Sequence, residues 1–217
     1  MGVIDWSGVR ARVRALSEDP GSHKLFGANG HGFELRDPLS SAELADAETQ
    51  FGVQLPWEYR DFLRQVGAGG AGPFYGVFPL VRSGGSWGWE GDGSDLTDVG
   101  QLAEPFPGSP ADPHALAALL ADYPNEEAND DLPDDYDALH EAWDARMEAL
   151  LWHPDRTAGA ICLCHEGCAL RDWLVVTGPD PGTIWSDRRT DFSDLILTKH
   201  TFGTWYMEWL AAQEAAL

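Results

Sequence analysis

Four side chains with metal-binding or nucleophilic chemistry lie close together in the motif Cys162-x-Cys164-His165-x-x-Cys168. Thiolates and imidazoles are typical zinc ligands, but a zinc site usually draws them as two pairs from two separate loops. Here all four belong to one segment, and on a regular strand Cys162 and Cys164 would point to the same side, with Leu163 opposite. The alternative is that both thiols are small buried hydrophobic groups and that Cys168 lies in the following turn. We favour this alternative and predict neither a metal nor a cofactor.

Strand geometry also disfavours a catalytic role for this motif. Neighbouring residues on a strand face opposite sides of a sheet, so Cys164 and His165 would not share a proton there. The sequence contains no Gly-x-Ser-x-Gly elbow, phosphate-binding glycine motif or His-Glu-x-x-His helix. We therefore predict that the protein is not an enzyme. Two less favoured alternatives stay open: a small hydrolase with clustered carboxylates, and a carbohydrate site built from Asp92 and Asp95 beside two tryptophans.

Acidic residues are concentrated in the middle of the chain. The formal net charge is −22, and residues 90–155, which we call the acidic segment, contain 18 acidic side chains and a single Lys or Arg, Arg146. Such a charge repels nucleic-acid phosphates and anionic lipid, and it attracts a basic protein. The predicted partner is therefore a basic protein rather than nucleic acid or a membrane. The alternative is a solvated charge run that only keeps the protein soluble.

The predicted partner-binding residues combine the densest acidic cluster with aromatic side chains. The aspartates would present an electrostatic mimic of nucleic acid, and the two tryptophans on either side of Gly88 would supply binding energy that charge alone does not. These residues are Trp87, Trp89, Asp130, Asp131, Asp134, Asp135 and Asp137. The competing interpretation is that the tryptophans anchor a loop on the core.

The order of the predicted elements favours an α+β fold. Helix signals come first, including a capping box at Ser40-Ser41-Ala42-Glu43 and a helix opened by Leu55-Pro56. Strand signals dominate the last third, before a helix capped by Thr201. The predicted helices begin near residues 6, 41, 55, 116, 133 and 202, and the predicted strands span 74–78, 160–164, 172–177, 183–185 and 195–197. This order indicates an α+β fold in a single domain, residues 1–217.

Four blocks in a fixed order resemble the SUKH superfamily, which is named partly for the Smi and Knr cell-wall assembly regulators of yeast. The first block is ETQFGVQLPWEYRDFL at 48–63 with Gly69-Gly70, and the others are CHEGCA at 164–169, WLVVTG and GTIW at 173–185, and TFGTWYMEWL at 201–210. The later blocks look like those of bacterial members. The resemblance covers roughly residues 25–82 and 157–213, and it leaves about 83–156 as an enlarged, largely helical acidic insertion.

The resemblance implies a fold and a class of function. The fold would be helices packed on a mainly antiparallel sheet, and the protein would be a non-enzymatic binding module with no catalytic residues to carry over. Many bacterial members look like immunity proteins that neutralise toxins, often nucleases, whereas others regulate cellular processes through protein contacts. We therefore predict an immunity protein for a basic toxin, with a housekeeping regulatory or scaffold protein as the alternative.

The predicted location is the cytoplasm. The longest apolar runs, such as Trp173–Val176, are only strand-sized, and the N-terminus lacks the pattern of a secretory signal. The three cysteines lie together with no distant partner, which argues against a disulfide framework and for a reducing compartment.

Overall fold

The computed structural model describes residues 4–124 and 136–217, and it confirms the predicted α+β class. The α-helices are α1 (Val9–Glu18), α2 (Ala28–His31), α3 (Ser41–Phe51), α4 (Trp57–Gln65), α5 (Pro113–Ala121), α6 (Tyr136–Met147) and α7 (Phe202–Ala215). The strands are β1 (Leu80–Ser83), β2 (Ser86–Trp89), β3 (Ala160–Gly167), β4 (Leu170–Val175), β5 (Thr183–Asp187) and β6 (Leu195–Thr201). Within the described ranges, no helix is both long and apolar enough to cross a membrane.

The principal sheet is antiparallel, with strand order β3-β4-β5-β6. Its strands follow one another in the chain because short turns connect antiparallel neighbours. The β3–β4 turn places Cys168 and Ala169 at φ of 49° and 61°, the left-handed region that a two-residue hairpin turn requires. β1 and β2 form a separate antiparallel hairpin. The four strands predicted for the last third of the chain are confirmed.

A further segment runs along the outer edge of β3 without forming a regular strand. The amides of Tyr75 and Phe78 donate to the carbonyls of His165 and Leu163, at 3.3 and 2.7 Å. These bonds satisfy part of the edge that β3 would otherwise leave open. The segment therefore widens the sheet beyond β3.

The residues around Gly70 and Leu35 extend the widened sheet beyond the segment that lies beside β3. Gly70 bridges both Val77 and Leu35, so three chain segments lie side by side through single bridges. Phe74 has a φ of 55°, which no regular strand contains. The predicted strand over residues 74–78 is therefore wrong, and the first strand begins only at Leu80.

The N-terminal helices pack around a shared aromatic core. The predicted capping box opens α3: the Glu43 amide donates to Ser40 Oγ, and the Ser40 amide donates to a Glu43 carboxylate oxygen. The ring centroid of Phe62 on α4 lies 5.2 Å from that of Phe202 and 4.8 Å from that of Tyr206, both on α7. The closing helix is thus held by long-range aromatic packing, which adds to the area that each ring buries.

The acidic segment has a small hydrophobic cluster of its own. Leu119 on α5 packs with Trp143 and Met147 on α6, and the indole of Trp143 donates to the Leu119 carbonyl at 2.7 Å. An ion pair between Arg156 and Asp194 joins the end of this segment to the chain just before β6. This cluster gives α6 a buried face and leaves its opposite face in solvent. The boundaries of an insertion at 83–156 stay a prediction.

Candidate protein-binding surface

The two thiols of β3 point to opposite faces of the sheet. Residues paired across an antiparallel ladder share a face, and Cys162 pairs with Trp173 whereas Cys164 pairs with Asp172, the preceding residue of β4. The reason is a bulge between the two cysteines, in which Leu163 is the extra residue. Our prediction that both thiols lie on the same side is therefore wrong. Among the described residues, no three His, Cys, Asp or Glu side chains come together as a metal site.

Burial makes the two strand thiols poor nucleophiles. Both are buried and free, whereas Cys168 in the hairpin turn is free and exposed. Burial raises the pKa of the Cys162 and Cys164 thiols far above the ordinary range. The reactive species of a cysteine is the thiolate, so only Cys168 offers accessible thiol chemistry.

We predict that the native protein exposes one reactive thiol. Titration with a thiol-specific chromogenic reagent at pH 8 should label Cys168 quickly, and denaturation in guanidinium chloride should release the other two. The variant Cys168→Ser should give no rapid reaction in the folded state. Fast labelling of a second thiol in native Cys168→Ser would contradict the buried placement of Cys162 and Cys164.

The predicted contact residues Trp87 and Trp89 lie in the core. Their relative exposures are 6% and 8%, because alternate residues of β2 face the same side, towards α3 and α4. The indole nitrogens donate to Asp46 at 2.8 Å and to the Tyr59 hydroxyl at 2.9 Å. In the sequence, the alternation Trp87-Gly88-Trp89 is typical of a strand with one buried face. A role in partner binding stays a prediction, and in this conformation neither ring presents its face to a partner.

The two aspartates considered for a sugar site do not have these tryptophans as neighbours on the surface. Asp92 instead lies 3.1 Å from the His165 imidazole and 3.7 Å from the buried guanidinium of Arg171. Asp95 is exposed in a short 3₁₀ turn. Since the indole rings of Trp87 and Trp89 are covered, these two tryptophans offer no stacking platform for a sugar beside the two aspartates.

Of the five aspartates in the predicted cluster, Asp137 alone lies among the described residues, and it begins a row of acidic side chains along α6. Asp130, Asp131, Asp134 and Asp135 lie outside the described residues. Asp137 is exposed and is followed by three further exposed carboxylates at helical spacing. We define the acidic stripe as Asp137, Glu141 and Asp144 on α6 together with Glu148, the first residue of the π-helical turn Glu148–Trp152 that continues α6. Their spacing of three and four residues along the chain predicts that they share the outer face of a helix, and all four are exposed.

A shallow groove of about 280 Å³ runs beside the acidic stripe. Asp144 and Glu148 line it together with Phe192, whose ring is 51% exposed. Phe192 has a φ of 54°, and its ring lies 6.0 Å from that of Trp143. No pattern in the sequence predicts this aromatic neighbour, because Phe192 follows β5 and meets α6 only in the folded chain. Carboxylates beside an exposed aromatic ring can bind the cationic side chains of another protein.

The fold and this surface define an α+β protein whose described residues present a charged, exposed face. A model of the SMI1 / KNR4 family (SUKH-1) matches residues 38–207, which is more than half of the chain. The chain therefore belongs to the SMI1 / KNR4 family. No curated protein and no solved structure matches the chain significantly. The family match confirms the resemblance drawn from the four sequence blocks.

Proposed function

We propose that this protein is a non-enzymatic binding module of the immunity type, which neutralises a basic toxin, for example a nuclease, by direct contact. Membership of the SMI1 / KNR4 family supports a protein-binding role. The observation that carries the proposal is the acidic stripe on α6, four exposed carboxylates in one row beside an exposed phenylalanine. A basic surface is the complement of such a row.

Repulsion among the carboxylates of the acidic stripe destabilises the helix in the free protein, and this supports a binding role. Asp137 and Glu141 are four residues apart, as are Asp144 and Glu148, and like charges at this spacing destabilise a helix by about 0.2–0.5 kcal/mol per pair. His140 lies 3.1 Å from Asp144 and is the single basic group paired with the stripe among the described residues. A cationic partner would remove this repulsion on binding, which strengthens the complex.

The net charge of −22 favours rapid association with a basic partner. Complementary charges steer diffusional encounter and raise association rates at low salt. Screening reduces this effect, because the Debye length falls from about 30 Å at 0.01 M to about 10 Å at 0.1 M ionic strength. Binding should therefore be salt-sensitive, and mainly in its association rate.

Neutralising the acidic stripe should slow association with a basic toxin encoded next to this protein. The test variant combines Asp137→Asn, Glu141→Gln, Asp144→Asn and Glu148→Gln. We expect its association rate to fall about 10-fold or more at low salt, and less at 0.5 M salt. Stopped-flow or surface plasmon resonance measurements would give the rates, and co-expression would show whether the chain protects cells from the toxin.

A matched control keeps the same change in net charge at other exposed positions. It combines Glu18→Gln, Asp37→Asn, Asp180→Asn and Glu208→Gln, and it should retain most of the association rate. If the two variants slow association equally, the acidic stripe is not the contact surface. If co-expression gives no protection from any neighbouring toxin, the housekeeping regulatory or scaffold alternative is favoured.

A further inference from the structure

A cleft of about 550 Å³ opens on the widened part of the sheet. Neither Trp87 nor Trp89 lines it. Its lining includes Glu34, Tyr75, Glu90, Asp92 and His165. Three chain segments meet there: the bridged segment around Leu35, the segment along the edge of β3, and the loop after β2. The volume lies in the range of clefts that bind ligands.

Glycine main chain forms part of the cleft surface. Gly70 and Gly76 line it with φ of 108° and 101°. A Cβ atom on Gly70 would lie 2.4 Å from the Glu34 carbonyl oxygen, and one on Gly76 would lie 2.6 Å from the Gly70 carbonyl oxygen. The segments approach so closely that only glycine fits, so these glycines hold together the main chain that lines the cleft.

The cleft carries an excess of negative charge. Three carboxylates line it, from Glu34, Glu90 and Asp92, against one guanidinium, from Arg36. Asp92 pairs with His165 at 3.1 Å, whereas Glu34 and Glu90 make no ion pair within residues 4–124 and 136–217. Two carboxylates thus remain available to a cation that enters the cleft.

Two exposed aromatic side chains in contact with each other add a second, independent feature of a binding site. Tyr75, which lines the cleft, is 44% exposed, and Phe26 beside it is 59% exposed. Their ring centroids lie 5.5 Å apart, and the Tyr75 ring also lies 5.5 Å from the imidazole of His165. An exposed aromatic face next to carboxylates attracts ammonium and guanidinium groups.

We propose that this cleft receives an arginine or lysine side chain from an extended segment of a protein partner. Charge complementarity identifies the occupant, because the unpaired carboxylates and the aromatic face both favour an organic cation. The cleft is far larger than a metal ion needs, and its charge opposes an anionic ligand. The inference rests on the proposed function only in expecting a basic partner, since the cleft is lined by none of the four stripe residues.

Short peptides test the cleft without the natural partner. The full-length protein would be titrated with acetyl-Gly-Arg-Gly-amide and with its neutral citrulline counterpart, and amide chemical shifts would be followed by NMR. We expect shifts centred on Gly70, Gly76 and Gly91, and at least about 5-fold weaker binding of the citrulline peptide. Propylguanidine, a free monocation with the same guanidinium, should bind more weakly than the arginine peptide.

Paired variants locate the site. Glu34→Gln with Glu90→Gln should weaken binding of the arginine peptide about 5-fold or more, and Tyr75→Leu should weaken it about 2–5-fold. The matched control, Asp137→Asn with Glu141→Gln, removes the same charge from the acidic stripe and should change the affinity less than about 2-fold.

Three results would overturn the proposal: equal binding of the citrulline peptide, equal loss in the control variant, or propylguanidine that binds as tightly as the arginine peptide. The last result would mark the occupant as a free cation rather than a protein side chain. Each of these outcomes leaves the association test of the acidic stripe unaffected, so failure of the cleft and failure of the proposed function are distinguishable.

Discussion

Replacing Arg189 with methionine is expected to lower the free energy of unfolding by about 3–5 kcal/mol, because the Asp187 carboxylate would stay buried without its cation. Asp187 is 2% exposed and Arg189 4%. The guanidinium donates to both Asp187 oxygens, at 2.9 and 2.6 Å, and to the Leu151 carbonyl at 2.9 Å. It also lies 4.3 Å from the Trp152 ring centroid. Urea unfolding followed by tryptophan fluorescence would measure the loss.

Two controls separate this buried ion pair from a general loss of charge. Arg82→Met removes an ion pair with Asp46 that is about half exposed, and it should cost less than about 1 kcal/mol. Adding Asp187→Asn to Arg189→Met should recover part of the stability, because no unpaired charge then remains buried. Equal losses for Arg189→Met and Arg82→Met would contradict the importance of the buried pair.

Asp172→Asn is expected to raise the free energy of unfolding relative to the wild type far more at pH 8 than at pH 5. Burial, with the nearby Glu166 carboxylate, raises the pKa of Asp172 from 3.8 to about 8. The Trp205 indole donates to Asp172 at 2.8 Å. Arg188 and Ser186 both donate to Glu166 and stabilise its charge, so the proton resides on Asp172.

The direction of the pH effect follows from which state holds the proton. Between about pH 4 and pH 8 the folded chain keeps Asp172 protonated whereas the unfolded chain does not, so this group's contribution to stability is lost as pH rises through the folded-state pKa. One proton accounts for at most about 1.4 kcal/mol per pH unit. Asparagine is neutral, still accepts from Trp205, and removes the slope. The expected gain of the variant at pH 8 is therefore several kcal/mol relative to pH 5.

The comparison of variant with wild type is needed because His31 acts in the opposite direction. Burial lowers the pKa of His31 to about 4, so its contribution to stability increases as pH rises from about 4 to 6.5. His31 is present in both proteins, and the difference between them isolates Asp172. Chemical unfolding at pH 5, 6, 7 and 8 would measure it, with the exposed Asp180→Asn as control. Parallel stability curves for Asp172→Asn and the wild type would contradict a protonated Asp172.

Local signals in the sequence predicted much of the fold correctly. The capping box at Ser40 and Glu43 lies within four residues, and the same holds for the cap that Thr201 provides to α7. Hydrophobic periodicity likewise identified the strands of the last third and the helices other than the short α2, which lies in a glycine-rich segment without such periodicity. These predictions succeeded because each depends on groups that are neighbours in the chain.

Predictions that needed long-range contacts were less successful. The faces of Cys162 and Cys164 depend on a bulge that appears only when β3 pairs with β4. The burial of Trp89 depends on Tyr59, thirty positions away. Phe74 lies in a left-handed turn, and its carbonyl closely approaches Gly27, so residues 74–78 do not form a strand despite their strand-like composition.

By itself, the sequence determined the fold class, the family, the acidity of residues 90–155 and the exposed face of α6, because composition, order and periodicity are properties of the chain. Tertiary structure alone decided which polar groups meet. The acidic stripe gains Phe192, the cleft brings Glu34 and Glu90 together with Tyr75, and the β3 thiols separate across the sheet. The first two arrangements join residues far apart in sequence, and the third depends on the pairing of β3 with β4, which no local pattern encodes.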